Sequence, residues 1–158
     1  MAAGSTYTPI ATTTLGSSVL SYTFSSIPNT YTDLVMVYNG TAGNNVSLQF
    51  NGDTANNYSA TRLRGDGSSA SSSRWSNVSA MYGSYSAGLQ TSIWQVMNYA
   101  NSTTYKTGLN RGGGSSDNVE AYVGRWGSTS AITSMTVIAL TSTLSAGSTL
   151  TLYGIQAA

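Results

Sequence analysis

Apolar residues fall in short runs eight to fifteen residues apart, and the gaps are filled by Gly, Asn, Ser and Asp. Such spacing predicts strands separated by turns. The stretch Val46–Gly67 (VSLQFNGDTANNYSATRLRGDG) shows the pattern most plainly. Val46, Leu48 and Phe50 alternate and stop at Asn51-Gly52-Asp53. A second run, Tyr58, Ala60, Arg62 and Arg64, leads into Gly65-Asp66-Gly67. Alternation broken by Asn-Gly-Asp marks a strand leaving its sheet.

The same reading extends along the chain. Tyr7–Thr14 predicts a weak first strand. Val19–Ser26 follows, with Leu20, Tyr22 and Phe24 on one face, and Pro28 ends it because proline cannot donate to a ladder. Asp33–Tyr38 is nearly continuous in apolar residues, which predicts a central strand covered on both faces. Asn39–Asn45 reads as a loop. Gly65–Ser73, small residues with no anchor, reads as a flexible one. Arg74–Tyr82 alternates weakly, and Gln90–Ala100 strongly, through Ile93, Trp94, Val96, Met97 and Tyr99. Tyr105–Leu109 is short and runs into Arg111-Gly112-Gly113-Gly114. Val119–Trp126, Ser134–Leu140 and Thr149–Ile155 complete the set.

Runs of helix-forming residues are absent, so the propensities point to strands and turns. About nine or ten strands with no long crossover predict an all-β fold: an antiparallel two-sheet sandwich, jelly-roll-like. The chain reads as one domain over 1–158, with residues 1–14 as an N-terminal arm or edge strand.

Composition changes this picture in one respect. Charged residues are 7% of the chain, against about 25% in an average domain. Ser and Thr together number 49. Solubility then rests on hydroxyls and amides, and long-range repulsion between molecules is weak. That favours a protein that lives in an assembly. The net charge is +1 with no basic cluster, so capture of nucleic acid is not expected. No apolar run approaches a membrane span. The start, MAAGSTYT, lacks the basic and apolar regions of a secretory leader. The expectation is a protein made in a cytoplasm and released by another route, such as lysis.

The chain has no Cys and no His. Disulfides, imidazole metal ligands and Ser-His or Cys-His catalysis are therefore excluded. A glycosidase would need two carboxylates about 5–9.5 Å apart, drawn from Asp33, Asp53, Asp66, Asp117 and Glu120. Asp53 and Asp66 stand in Gly/Asn turns, where Asp bonds its own backbone, and the turn reading outweighs catalysis. Asn51, Asp53, Asn56 and Asp66 could offer oxygens to Ca²⁺, but their spacing is not that of an EF-hand loop. No catalytic residue, metal or cofactor is expected. The Arg64-Gly65-Asp66 tripeptide and the Asn-x-Ser/Thr patterns at Asn39, Asn45, Asn57, Asn77 and Asn101 arise readily in such a composition. Eleven Tyr and three Trp offer contact area with a polar handle. Trp75, Tyr82, Tyr85 and Tyr99 are the candidates for a glycan-stacking or receptor-reading surface, against the plainer reading that they fill a core or an interface, as Trp94 and Trp126 are expected to do.

Seven segments stand out in order: YTPIATTTL (Tyr7–Leu15), FSSIPNTYTDLVM (Phe24–Met36), FNGDTANNYS (Phe50–Ser59), LRGDGSS (Leu63–Ser69), NYANSTTYKT (Asn98–Thr107), AITSMTV (Ala131–Val137) and AGSTLTLYGI (Ala146–Ile155). Each is a strand–turn junction. Their joint order resembles a family of small structural proteins of tailed bacteriophages. The resemblance implies a β-sandwich virion protein, exposed on the particle and usually trimeric, found either as a separate protein or at a fibre end. It brings no catalytic motif. Strand-like sequence begins by Tyr7, which leaves no length for a fibre shaft. The expected station is therefore the capsid surface, as a decoration or cement protein on the major capsid protein, with Tyr7, Ile10 and Leu15 as contacts. The alternative is a tail or fibre-tip module reading host surface glycan through Trp75, Tyr82 and Tyr85.

Overall fold

The computed structural model describes residues 6–84, 87–115 and 119–156. Among them no helix forms, and twelve strands do: β1 (Tyr7–Thr14), β2 (Ser21–Phe24), β3 (Asp33–Ala42), β4 (Val46–Phe50), β5 (Tyr58–Gly65), β6 (Ala70–Val78), β7 (Met81–Tyr82), β8 (Gly88–Met97), β9 (Lys106–Gly114), β10 (Val119–Trp126), β11 (Met135–Ala139) and β12 (Thr149–Ile155). They make two antiparallel sheets, ordered β1-β12-β3-β8-β9-β10-β5-β6 and β2-β11-β4-β7.

With β5, β6, β9 and β10 set aside, eight strands remain, and they pair from the outside inward. β1 pairs with β12, β2 with β11, β3 with β8 and β4 with β7. A ribbon of strand pairs folded over itself into two sheets is a jelly roll. The expected two-sheet antiparallel sandwich is thus the observed one. The other four strands are two hairpins, β5–β6 and β9–β10, inserted between roll strands. They join through the β10·β5 ladder and carry the larger sheet past the smaller one.

The core lies between the sheets. Leu34, Met36 and Tyr38 of β3, Leu150 and Leu152 of β12, and Trp94 and Val96 of β8 meet Phe24, Met135, Val137, Val46, Leu48 and Phe50 across the gap. Each inward set follows the period of two that a strand with one buried face requires. The Tyr38 hydroxyl, buried with its ring, donates to Thr41 O at 2.8 Å and lies 3.2 Å from Ser148 Oγ. Trp94 and Trp126 are core residues, as expected.

Several boundaries differ from the sequence reading. β3 is central, but a second sheet covers only its inner face. Val35 on the outer face is shielded by its cross-strand neighbours Tyr153 and Gln95. β3 also runs on to Ala42, because β8 continues opposite it to Gly88. Leu20 precedes β2 and is exposed. The Gly65–Ser73 segment is mostly not a loop. Ala70–Ser73 pair with Gly65–Arg62, and the turn shrinks to Asp66–Ser69. The Asp66 carboxylate holds that turn by accepting from the Ser68 and Ser69 amides at 3.0 and 2.8 Å. Arg74–Tyr82 splits in two. A bulge across from Tyr58/Ser59, with Asn77 at φ 55°, ends β6, and the chain crosses to the small sheet as β7. The glycine run extends β9 instead of ending it. Gly112 sits where a Cβ would lie 2.8 Å from Thr91 O, so the bare backbone is what lets the strands close.

The packing at β7 gives a test. A Cβ on Gly83 would overlap the Trp94 indole and stand 2.7 Å from Val46 O. Gly83→Ala is expected to cost about 1–3 kcal/mol through overpacking, read as a lower midpoint in urea unfolding.

Candidate functional site

The inserted strands β9-β10-β5-β6 form a wing that continues the larger sheet through the β8·β9 ladder and is tied to the small sheet by the Phe50–Tyr58 turn. Asn51, in the left-handed region at φ 53°, and Gly52 at φ 68° turn the chain out of β4. Asn51 Oδ1 accepts from the Thr133 and Ser134 amides at 2.8 and 3.1 Å, and its Nδ2 donates to Ala131 O. Asp53 then ties the turn to the wing. Its carboxylate accepts from Trp126 Nε1 at 2.7 Å, from Asn57 Nδ2 at 3.0 Å and from the Ala55 amide at 2.9 Å. The Tyr58 hydroxyl donates to Asp53 O and accepts from the Phe50 amide. The rings of Phe50, Tyr58 and Trp126 pack with centroids 5.5–6.3 Å apart, each such pair contributing about 0.5–1.5 kcal/mol beyond area. Burial works against the Asp53 charge, but the three N–H donors outweigh it and hold the carboxyl below its usual range.

This arrangement answers the ion and acid–base readings of the turn residues. Asp53 and Asp66 stand at opposite ends of β5, an eight-residue strand, hence roughly 25 Å apart. They are not a carboxylate pair, and Asn51, Asp53, Asn56 and Asp66 are not brought together. Asp33 accepts from Gln95 Nε2 and the Asn98 amide. Asp117 lies outside the described residues.

The inner face of the wing carries a packed cluster. Gly108 and Gly124 are cross-strand partners, and Met81 of β7 fills the dent they leave. Beyond it, Glu120 is buried and pairs with Arg62 at 3.3 Å and Arg64 at 3.9 Å. The Tyr122 hydroxyl donates to Glu120 Oε2 at 3.2 Å. Trp75 stacks on Tyr122 with centroids 6.2 Å apart, meets Tyr82 edge-on at 5.6 Å, and has Arg62 over its ring at 5.3 Å. Trp75 and Tyr82 are thus brought together, as half-buried members of a cluster and not as a bare platform. Tyr85 lies outside the described residues, and Tyr99 is no surface residue: its ring is fully buried in the core, with its hydroxyl bonded to Pro28 O. Asn44, Asn45, Leu140 and Thr141 rim a cleft of about 210 Å³ above the cluster.

The outer face is different in kind. Val119, Ala121 and Val123 of β10 point away from the core, with Leu63 of β5 opposite Ala121. Leu63 is 63% exposed, Val119 70% and Val123 54%. Beside them runs the open edge of β6, which begins Ala70-Ser71-Ser72-Ser73 and carries no charge until Arg74. A shallow depression joins the two, lined by Leu63, Ala70, Ser72, Val119 and Ala121. The alternation in Val119–Trp126 was readable, but nothing in it told which face would stay open.

The N-terminal candidates divide. Tyr7 is half-exposed and sits edge-on to Tyr153 at 6.2 Å. Ile10 is partly buried against the core, and Leu15 is inside it at 6% exposure. Residues 7–14 are the edge strand β1 on β12, not a free arm, because the Thr-rich strand finds a full ladder there.

No protein-family model matches the chain, and no curated protein matches it. Among solved structures, that of exo-inulinase from Aspergillus awamori is similar at a TM-score of 0.43 and 12% identity, over 94% of this chain and 29% of that one. The chain therefore spans under a third of that enzyme's length.

Two tests follow from the site. Removing one member of a buried ion pair leaves the other uncompensated, at about 3–5 kcal/mol. Glu120→Ala is expected to lower stability by that amount in urea unfolding, and an added Arg62→Leu to restore much of it. For pH, the lowered carboxyls of Asp53 and Asp66 contribute above about pH 4 and lose their contribution as pH falls further. Tyr38, Tyr58, Tyr99 and Tyr122 are raised, by burial first, so their contribution is lost as pH climbs past about 10. Buried Lys106, lowered by desolvation, opposes them in sign, one group against four. With no His, the thermal midpoint is expected to be level from about pH 5 to 9 and to fall on both sides.

Proposed function

We propose that the chain is a non-catalytic structural protein of a tailed-phage virion. In this reading it is an accessory capsid protein of the decoration or cement type. It binds as trimers to the outside of the major capsid lattice and stabilises the filled shell. The observation that carries the reading is the apolar patch of Leu63, Val119 and Val123 beside the uncharged open edge of β6. A contiguous exposed apolar patch beside an open strand edge marks a contact site. An edge strand with no Lys, Pro or inward charge along its first half lacks the usual guards against pairing with another chain.

The order of strand–turn segments from Tyr7 to Ile155, similar to that of the phage family, supports the same reading. So do the sandwich fold and the low charge. The mechanism needs no chemistry. A neighbouring subunit or capsid protein covers the patch, and a strand from it adds to β6 by main-chain hydrogen bonds. A stable contact of this kind buries about 800 Å² per partner.

The test is the double variant Leu63→Lys/Val119→Lys. Both side chains already face solvent, so the fold of the single chain is expected to survive, read as an unchanged far-ultraviolet circular dichroism spectrum, while the thermal midpoint drops to that of a monomer. Light scattering should report monomers in place of trimers, and particles should lose the protein and become sensitive to heat. Trimers and full occupancy in that variant would sink the proposal. Copy number in purified particles separates stations: hundreds per virion for the capsid, tens or fewer for a tail.

A further inference from the structure

The attached end of the wing, beside the Phe50–Tyr58 turn, holds a second feature that the assembly reading does not use. Arg125 of β10 and Arg74 of β6 flank β5 on one face, since Arg125 pairs with Ser59 and Arg74 with Thr61. Strands two apart lie about 10 Å apart, so both guanidinium groups can reach one ligand. They border a polar cleft of about 520 Å³, with Ser76, Asn56, Asn77 and Tyr105 also in its lining. Among the described residues both ion pairs are made by Arg62 and Arg64 with Glu120, and neither Arg74 nor Arg125 has a carboxylate partner. Arg125 lies over the Tyr105 ring at 4.9 Å, and that ring is 54% exposed. Asp53, tied to Asn57 beside the cleft, is engaged by three N–H donors.

We propose that this cleft binds a carboxylate-bearing saccharide, a uronic or sialic acid unit of a surface polysaccharide, between Arg74 and Arg125. The guanidinium fork matches a carboxylate in two parallel hydrogen bonds. The Tyr105 ring, 54% exposed with Arg125 over one side, offers its remaining apolar surface to the C–H side of a sugar ring. Asn56 and Asn77 supply both donors and acceptors, as sugar hydroxyls require. The cleft is in the size range of ligand sites and far larger than a lone phosphate. Two arginines in a chain of net charge +1 cannot hold a nucleic-acid backbone at physiological salt.

The experiment is titration calorimetry on the full chain with a galacturonate oligosaccharide and with sialyllactose. A neutral oligosaccharide of equal length and inorganic phosphate are the comparison ligands. At least one acidic sugar is expected to bind, with affinity falling tenfold or more in Arg74→Gln and in Arg125→Gln, and falling also in Tyr105→Ala. Unchanged thermal midpoints in these surface variants exclude unfolding as the cause. Arg111→Gln, an exposed arginine on β9 outside the cleft, is expected to change nothing. Equal binding of the neutral sugar or of phosphate, equal loss in Arg111→Gln, or no binding of either acidic sugar would each overturn the proposal. The Leu63→Lys/Val119→Lys variant should bind the sugar normally, so failure of the assembly reading and failure of this one are told apart.

Discussion

The hydrogen bond from Trp126 Nε1 to Asp53 Oδ2, at 2.7 Å, pins the wing to the turn that leaves the small sheet and so fixes how the two sheets of the sandwich meet there. Asp53 belongs to the turn that leaves the small sheet for the wing, and Trp126 ends β10, from which the chain returns to the small sheet. Tyr58 stands between them, bonded to the backbone of both Phe50 and Asp53. A carboxylate at a two-sheet junction would be expensive if unpartnered. Three N–H donors make it a fixed point instead, with three aromatic rings packed beneath. β5 leaves this anchor to pair with β10 on one side and β6 on the other, while β9 is laddered both to β10 and to β8 of the main sheet.

The wing has faces of opposite character for a physical reason. Its inner face lies beside β7 and concentrates what must be shielded: the Glu120 ion pairs, the Tyr122 hydroxyl and the Trp75 ring. Its outer face has no second layer above it. There the sheet shows Leu63, Val119 and Val123 to solvent, and farther along Arg74 and Arg125, which have no carboxylate partner among the described residues. In a chain where charge is scarce, each exposed apolar or cationic group stands against a field of hydroxyls. Such groups are therefore the places where a partner or ligand would gain most by binding, and the two proposals rest on them.

The Ser- and Thr-rich strands that look weakest in isolation are held by ladders, not by propensity. Ala70–Ser73 has no apolar residue large enough to nucleate a strand. It becomes one because Asp66 closes a four-residue turn and delivers it to β5 in register. The glycines at the end of β9 have a similar explanation. They cost conformational entropy, but only bare backbone passes between Thr91 and its neighbours at Gly112. In both places the local preference of the residues is overruled by what lies across the ladder.

Strand positions such as Tyr7–Thr14, Val46–Phe50, Val119–Trp126 and Thr149–Ile155 were determined by the sequence itself, to the residue. Alternation and turn residues are local signals, and one buried face imposes a period of two on them. The all-β class and the antiparallel sandwich follow from the same signals, and so does the role of Asp66 in its own turn. Pairing across the chain was decided only in three dimensions. Nothing local brings Asp53 to Trp126, seventy-three residues on, or places Glu120 between Arg62 and Arg64. Nor does alternation reveal which side of Val119–Trp126 a second sheet will cover. Leu15 and Val119 look alike as apolar residues at strand ends, yet one is 6% exposed and the other 70%. The difference is where the smaller sheet stops, and that is set by packing between strands distant in the chain.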